Sequence, residues 1–186
     1  MNKFSIFKKV IYCENISSTN DYAKQLIKEN TIKENCVVFA ENQIQGRGRY
    51  SHRWYSEKNK SLTFSFVLFL NLDLNKIKYL ESLILKTIIV ALNKKGVKAV
   101  IKRPNDIYFE GRKIGGILLE NTSHNNVVKH SVIGIGLNIN NTKYPYWVPK
   151  PISVMEILGK EVNIEIFFTD FCLLFEEKIK SFFIQN

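Results

Sequence analysis

Residues 41–53 read ENQIQGRGRYSHR, in which Gly46 and Gly48 alternate with Arg47 and Arg49. Glycine lets the backbone turn and come close to a ligand, and arginine offers a planar fork of donors suited to carboxylate or phosphate oxygens. Trp54, just beyond, could stack on a flat ring. A solvated surface loop is the plain alternative, although it leaves two Gly-Arg repeats between a strand and an aromatic unexplained. Three other stretches exceed what folding needs. SSTN at 17–20 gathers hydroxyls and an amide at a helix start, where they either cap the helix or join its free N–H groups in holding a small polar head group. KRPNDIYFEGRKIGGILLE at 102–120 pins Asn105 and Asp106, metal or hydroxyl ligands by type, behind Pro104 and begins a strand at Lys113 that contains Gly115 and Gly116. A structural hairpin explains those glycines equally. In GIGLNIN at 134–140 glycines again open space, with Asn138 at a strand end.

These groups need a scaffold, and the hydrophobic pattern supplies one. Ser18 and Thr19 are placed to cap a helix over about 21–28. CVVFA at 36–40 and LTFSFVLFL at 62–70 are apolar and rich in β-branched or aromatic residues, hence strands. Ile77, Leu80, Ile84, Ile88 and Leu92 recur at helical spacing over 77–95, and Gly96 stops that helix. VKAVIK at 97–102 reads as a strand, residues 106–120 as two strands about a turn at Gly111, and residues 127–140 as a long strand interrupted by Gly134 and Gly136. YPYWVPKP at 144–151 is a proline-punctuated loop, and IEIFFTDFCLLFEEKIK is an amphipathic helix covering one side. No repeat, low-complexity tract or linker interrupts the pattern. It predicts one mixed α+β domain over residues 1–186 with a largely antiparallel sheet, a motif-bearing core at about 10–140, and a C-terminal loop and helix at about 144–184.

Composition agrees with a folded domain: 186 residues, 45% hydrophobic and 24% charged. Lys plus Arg exceed Asp plus Glu by 27 to 17, and the net +10 favours encounter with polyanions or acidic proteins, although most of the excess is solvated surface lysine. Cys13, Cys36 and Cys172 lie far apart without a CxxC pair, so neither a disulfide framework nor a zinc site is expected. The N-terminus has no apolar run of signal-peptide length, and no stretch of about 18 apolar residues is present to cross a membrane, so the cytoplasm is the expected location.

Taken in order, the four stretches resemble the biotin protein ligases (biotin–acetyl-CoA-carboxylase ligases). The shared pattern is S-T-N, then E-x-Q-x-x-G-R-G-R with a Trp following, then K-W-P-N-D with K-x-x-G-I-L-x-E, then G-I-G-x-N-x-N, over roughly residues 10–140. The resemblance implies the fold of a biotin and lipoate ligase catalytic domain, which is like that of class II aminoacyl-tRNA synthetases. It also implies a two-step reaction. Biotin and Mg-ATP give biotinyl-5′-adenylate and pyrophosphate, and the acyl group then passes to one lysine of a biotin carboxyl carrier protein. A carboxylate attacking a phosphate brings two anions together, and Arg47, Arg49 and Lys113 can shield them.

By position in the motifs, Ser18, Thr19, Asn20, Gln43, Gly46, Arg47, Arg49, Lys113 and Gly116 resemble the biotin and adenylate contacts. Arg49 matches the arginine that retains the adenylate, and Lys113 the lysine that bridges the biotin carboxylate and the α-phosphate. Trp54 resembles the residue that stacks on adenine, and Asn105, Asp106 and Asn138 the groups near phosphates and Mg2+, with Asp106 as the metal contact. Two departures stand out: Arg103 replaces the usual Trp of K-W-P-N-D, and Ser51 and His52 replace Gly and Arg after GRGR. No room for a helix-turn-helix is seen before Tyr12, so DNA binding is not expected; the small C-terminal β-barrel of most members is not expected after about residue 160; members often dimerise through the sheet. Lipoate ligases and octanoyltransferases share this fold, but the octanoyltransferase type needs a pocket cysteine, and no cysteine here lies in a motif. A non-catalytic remnant that keeps biotin is the reading from another class.

Overall fold

The computed structural model describes residues 4–185. Seven strands make one sheet: β1 (Lys9–Ile16), β2 (Cys36–Gln43), β3 (Ser61–Asp73), β4 (Val100–Lys102), β5 (Asp106–Phe109), β6 (Arg112–His124) and β7 (Val127–Asn138), in spatial order β1-β2-β3-β7-β6-β5-β4. Only β1 and β2 run parallel; every other neighbouring pair is antiparallel, as the sequence predicts. Four helices complete the α+β fold: α1 (Thr19–Lys28), α2 (Ile77–Lys94), α3 (Val154–Leu158) and α4 (Ile164–Gln185).

Strand alternation sorts the side chains of β3 between two faces. Leu62, Phe64, Phe66 and Leu68 join the larger core against α2 and α4, whereas Val67 joins a smaller cluster beneath α1. On the larger side Leu80, Ile84, Ile88 and Leu92 of α2 are fully buried, and Phe171 and Phe175 of α4 stack on Phe66. Each such side chain removed from water contributes about 1.5–3 kcal/mol. That face is closed by packing, so the opposite face, where the apolar cluster is small, is left for a site.

Two boundaries and two whole elements depart from the sequence reading, each for a local reason. Helix α1 starts at Thr19 rather than 21 because Ser18 is the cap, its hydroxyl accepting from the Asp21 N–H at 3.4 Å. Strand 97–102 shrinks to Val100–Lys102 because Val97 N–H closes the end of α2 on Leu92 C=O beside Gly96 at φ +90. Strand β1 was not foreseen; it is an edge strand, largely half-buried or exposed, and lacks the apolar run that marks an interior strand. Helix α3 falls between the 144–151 loop and the last helix, where the sequence reading assigns no element, although Ser153 and Glu156 form a reciprocal cap at its start.

Candidate active site

Where the sheet turns away from α2 and α4, glycines replace side chains. Gly134 and Gly136 of β7 and Gly116 of β6 floor a cavity of about 430 Å³ walled by the start of α1, residues 47–55 and the 144–151 loop. The glycines are required by space. A Cβ on Gly134 would lie 2.4 Å from Asn20 Oδ1, one on Gly136 2.5 Å from Trp54 Cε2, and one on Gly116 2.9 Å from Asp106 Oδ1. Ser18, Thr19, Asn20, Gln43, Arg47, Arg49, Trp54, Asn105, Asp106, Lys113, Gly116 and Asn138 all line this one cavity, although they come from six separate segments. Gly46 lies just behind, where an added Cβ would meet Trp54 C=O at 2.7 Å.

At the α1 end a buried hydrogen-bond chain fixes polarity. Gln43 Oε1 accepts from Thr19 N–H at 2.7 Å and lies 3.1 Å from its hydroxyl. Asn20 Nδ2 donates to Leu118 C=O and Glu120 Oε2, so its Oδ1 must accept, and it does so from Ser65 at 2.6 Å. Ser65 has only one proton, which leaves it the acceptor in its 2.7 Å contact with Thr19 Oγ1. The single Thr19 proton thus goes to one of two protein acceptors, Ser65 Oγ or Gln43 Oε1, and a lone pair of the hydroxyl is left for the cavity. Gln43, with Oε1 engaged, keeps Nε2 as its outward donor.

The far end is cationic. Asn138, four residues beyond Gly134 and so about 13 Å along β7, donates to the carbonyls of Lys113 and Ile152 and ties the strand end to the 144–151 loop. Lys113 Nζ lies 2.7 Å from Asp106 Oδ1, with both side chains about a quarter exposed (27% and 26%). Asn105 is spent on structure: its Nδ2 donates to Ile117 C=O and its carbonyl accepts from Ile117 N–H. Asp106 is thus the partner of Lys113, and among the described residues no group of three His, Cys, Asp or Glu side chains gathers.

Residues 46–54 fold as a short hairpin, held by Gly48 N–H to His52 C=O, Trp54 N–H to Gly46 C=O and a bridge between Arg47 and Arg53. Tyr50 takes a left-handed conformation at the tip, φ +53. Trp54 lays its indole over Gly136, and its Nε1 is buried without a hydrogen-bond partner among the described residues. His52 is exposed, and the side chain of Ser51 lies outside the described residues.

Sequence reasoning missed the groups that grip this hairpin. Arg47 bonds Asp21 at 2.6 Å and both Glu120 oxygens at 3.2 Å, Arg49 lies 3.7 Å from Glu81, and the Arg53 guanidinium sits 5.1 Å from the Trp147 ring centre. Burial alone would raise the Glu120 carboxyl, but Lys24, Asn20 and Arg47 outweigh it and hold it below the ordinary glutamate range. Also missed were Tyr144 and Trp147, which bring the 144–151 loop onto the cavity wall around Tyr55. Arg103 is exposed beside the Pro104 wall rather than packed beneath the turn. Among the described residues no cysteine lines the cavity; Cys36 and Cys172 are buried, and burial pushes the Cys36 thiol up to about 11. No described helix is long and apolar enough to cross a membrane.

The profile of the biotin/lipoate A/B protein ligase family matches residues 12–138. The chain is 29% identical over 179 residues to the bifunctional ligase/repressor BirA of Bacillus subtilis, covering 93% of this chain and 54% of that one. It is 35% identical over 138 residues to biotin–protein ligase 2 of Arabidopsis thaliana, covering 71% and 41%. It therefore spans about half, or less, of these relatives' length. The structure superposes with a TM-score of 0.77 and 27% identity on the Aquifex aeolicus biotin protein ligase in complex with biotin and ATP, covering 95% of this chain and 72% of that one.

Proposed function

The chain belongs to the biotin/lipoate A/B protein ligase family, and from that premise we propose that it is an ATP-dependent biotin protein ligase. In the first step a biotin carboxylate oxygen attacks the α-phosphorus of ATP, forming biotinyl-5′-adenylate and releasing pyrophosphate. In the second the ε-amine of one lysine on a biotin carboxyl carrier protein attacks the acyl carbon, and AMP leaves.

The observation that carries this reading is the fixed polarity of the cavity. Thr19 offers an acceptor and Gln43 Nε2 a donor at one end, and Lys113 offers a cation farther along the floor, beside Asp106 and Gly116. A cyclic urea has N–H donors and a carbonyl acceptor to match the first pair, and a short aliphatic acid tail carries its carboxylate to the lysine. Lys113 draws the carboxylate and the α-phosphate together and offsets their repulsion. Arg49 and Arg47 stand on the hairpin that covers the reactive adenylate, and excluding water there protects it from hydrolysis. The Trp54 indole, lying over Gly136 in the cavity lining, offers a flat surface for an adenine. Mg2+ would arrive as the counterion of the nucleotide phosphates and would neutralise part of their charge.

The deciding experiment is pyrophosphate release from Mg-ATP with biotin, and with lipoate or octanoate in parallel, without an acceptor. A biotin-dependent burst near one per active site is expected. Signal with lipoate alone would move the chain to the lipoate branch, and silence with all three would make it a binding module. The lack of a cavity cysteine among the described residues speaks against a cysteine-dependent acyl transferase.

A further inference from the structure

The hydrogen-bond chain under the head-group end and the arginine that anchors the covering hairpin meet at one side chain. Glu120 lies on β6 beyond Gly116, the last residue that β5 pairs, so its strand edge is open to the hairpin. Its two oxygens take Lys24 Nζ at 2.8 Å, Asn20 Nδ2 at 2.7 Å and Arg47 Nη2 at 3.2 Å. Asn20 is 2% exposed and wedged against Gly134, so it cannot find water if Glu120 is lost. The chain runs from Thr19 through Ser65 and Asn20 to Glu120, and from Glu120 to Arg47. Of the other hairpin anchors, Asp21 meets this chain only at its cations, Arg47 and Lys24, whereas Glu81 and Trp147 hold Arg49 and Arg53 instead.

We propose that Glu120 is a positioning residue that locks the polarity of the head-group end and closes the 46–54 hairpin over it, so that the two are coupled through one carboxylate. With Glu120 ionised and accepting beside Leu118 C=O, Asn20 is held with its amide donating outward and its Oδ1 toward Ser65, whose proton it takes. The same carboxylate holds Arg47, and with it the hairpin bridge to Arg53. Asp21 shares Arg47 but leaves Asn20 untouched, so changes at the two acids separate closure from polarity.

This coupling rests on the biotin ligase reading for its ligand but not for its structural half, and the test keeps them apart. The chain has five arginines, at 47, 49, 53, 103 and 112, so an arginine-specific protease reports hairpin opening by cleavage at 47–53 against cleavage after Arg112. In the Glu120→Gln chain, hairpin cleavage without ligand should rise about tenfold, the size of a charge-assisted bond partly screened by water. Its KM for biotin in pyrophosphate release should rise about tenfold with kcat within about twofold. Asp21→Asn should raise cleavage similarly while changing the biotin KM by less than about threefold. Thermal unfolding confirms that each variant is folded. Hairpin cleavage at the unaltered rate in Glu120→Gln, or faster cleavage with an unchanged biotin KM, overturns the proposal. If the unaltered chain releases no pyrophosphate with biotin, it is the functional reading that has failed, and the cleavage arm alone then decides the role of Glu120 in closure.

Discussion

Replacing Lys113 by alanine removes an ammonium that sits 2.7 Å from Asp106 Oδ1 in a wall of the cavity. In the proposed first step two anions approach to about 3 Å, and the lysine is the cation placed to bridge them. A unit charge about 4 Å from each is worth about 4 kcal/mol per contact at an effective dielectric of 20. The Lys113 side chain is 27% exposed, so water returns part of that. About 3–4 kcal/mol of transition-state stabilisation remains, or about 10²–10³ in rate. Losing the lysine also leaves Asp106 without its partner, an added negative charge facing the reacting carboxylate. Lys113→Ala combined with Asp106→Asn should therefore be about tenfold faster than Lys113→Ala alone. The assay is single-turnover formation of the adenylate from labelled ATP and biotin, with thermal unfolding as the control for folding. Normal turnover by Lys113→Ala would refute the assignment, and a double variant no faster than the single one would refute the role given to Asp106.

Three further outcomes are expected. Arg49→Gly loses the contact with Glu81 and should release the adenylate, labelling lysines promiscuously; a variant that stays selective for one acceptor lysine contradicts the covering role. Gly136→Ala drives a methyl to 2.5 Å from Trp54 Cε2, so the indole must leave the sheet floor. That overpacking should cost about 1–3 kcal/mol of stability and shift the tryptophan emission, and unchanged emission with full stability would show that Trp54 does not rest there. The net +10 charge should steer an acidic acceptor, so acceptor biotinylation should slow as salt rises from low to physiological; a constant rate counts against steering.

The sheet was legible where side-chain chemistry was unambiguous. The apolar run of β3, the Gly111 turn and the α2 stripe each have one structural solution, and each appears as read. Strand β1 escaped because KVIYCENI pairs with a single neighbour and leaves much of itself half exposed, so neither alternation nor an apolar run marks it. Helix α3 had a readable signal in Ser153 and Glu156, three apart, that the proline-rich surroundings obscured. The motif residues converge on one cavity, yet the partners of the arginines were not legible. Glu120 closes the K-x-x-G-I-L-x-E pattern without any sign of what it holds, and Asp21 and Glu81 look in sequence like any solvated acid on a helix face; all three become neighbours of the arginines only through tertiary packing. The aromatic loop at 144–151 was read as punctuation because its role depends on Trp147 meeting Arg53, ninety-four residues earlier in the chain.

Gly134 and Gly136 alternate with Ile133, Ile135 and Leu137, which belong to the core against α2 and α4. Because strand side chains alternate, a slip of β7 by a single residue would exchange the two sets, filling the cavity with isoleucine and opening voids in the core. Pairing with β3 and β6 along almost the whole strand makes that slip costly. The hollow is therefore a property of strand registration: the same apolar packing that selects the correct alignment empties the opposite face, and a chain that has assembled its interior has, by that act, also made room for its ligand.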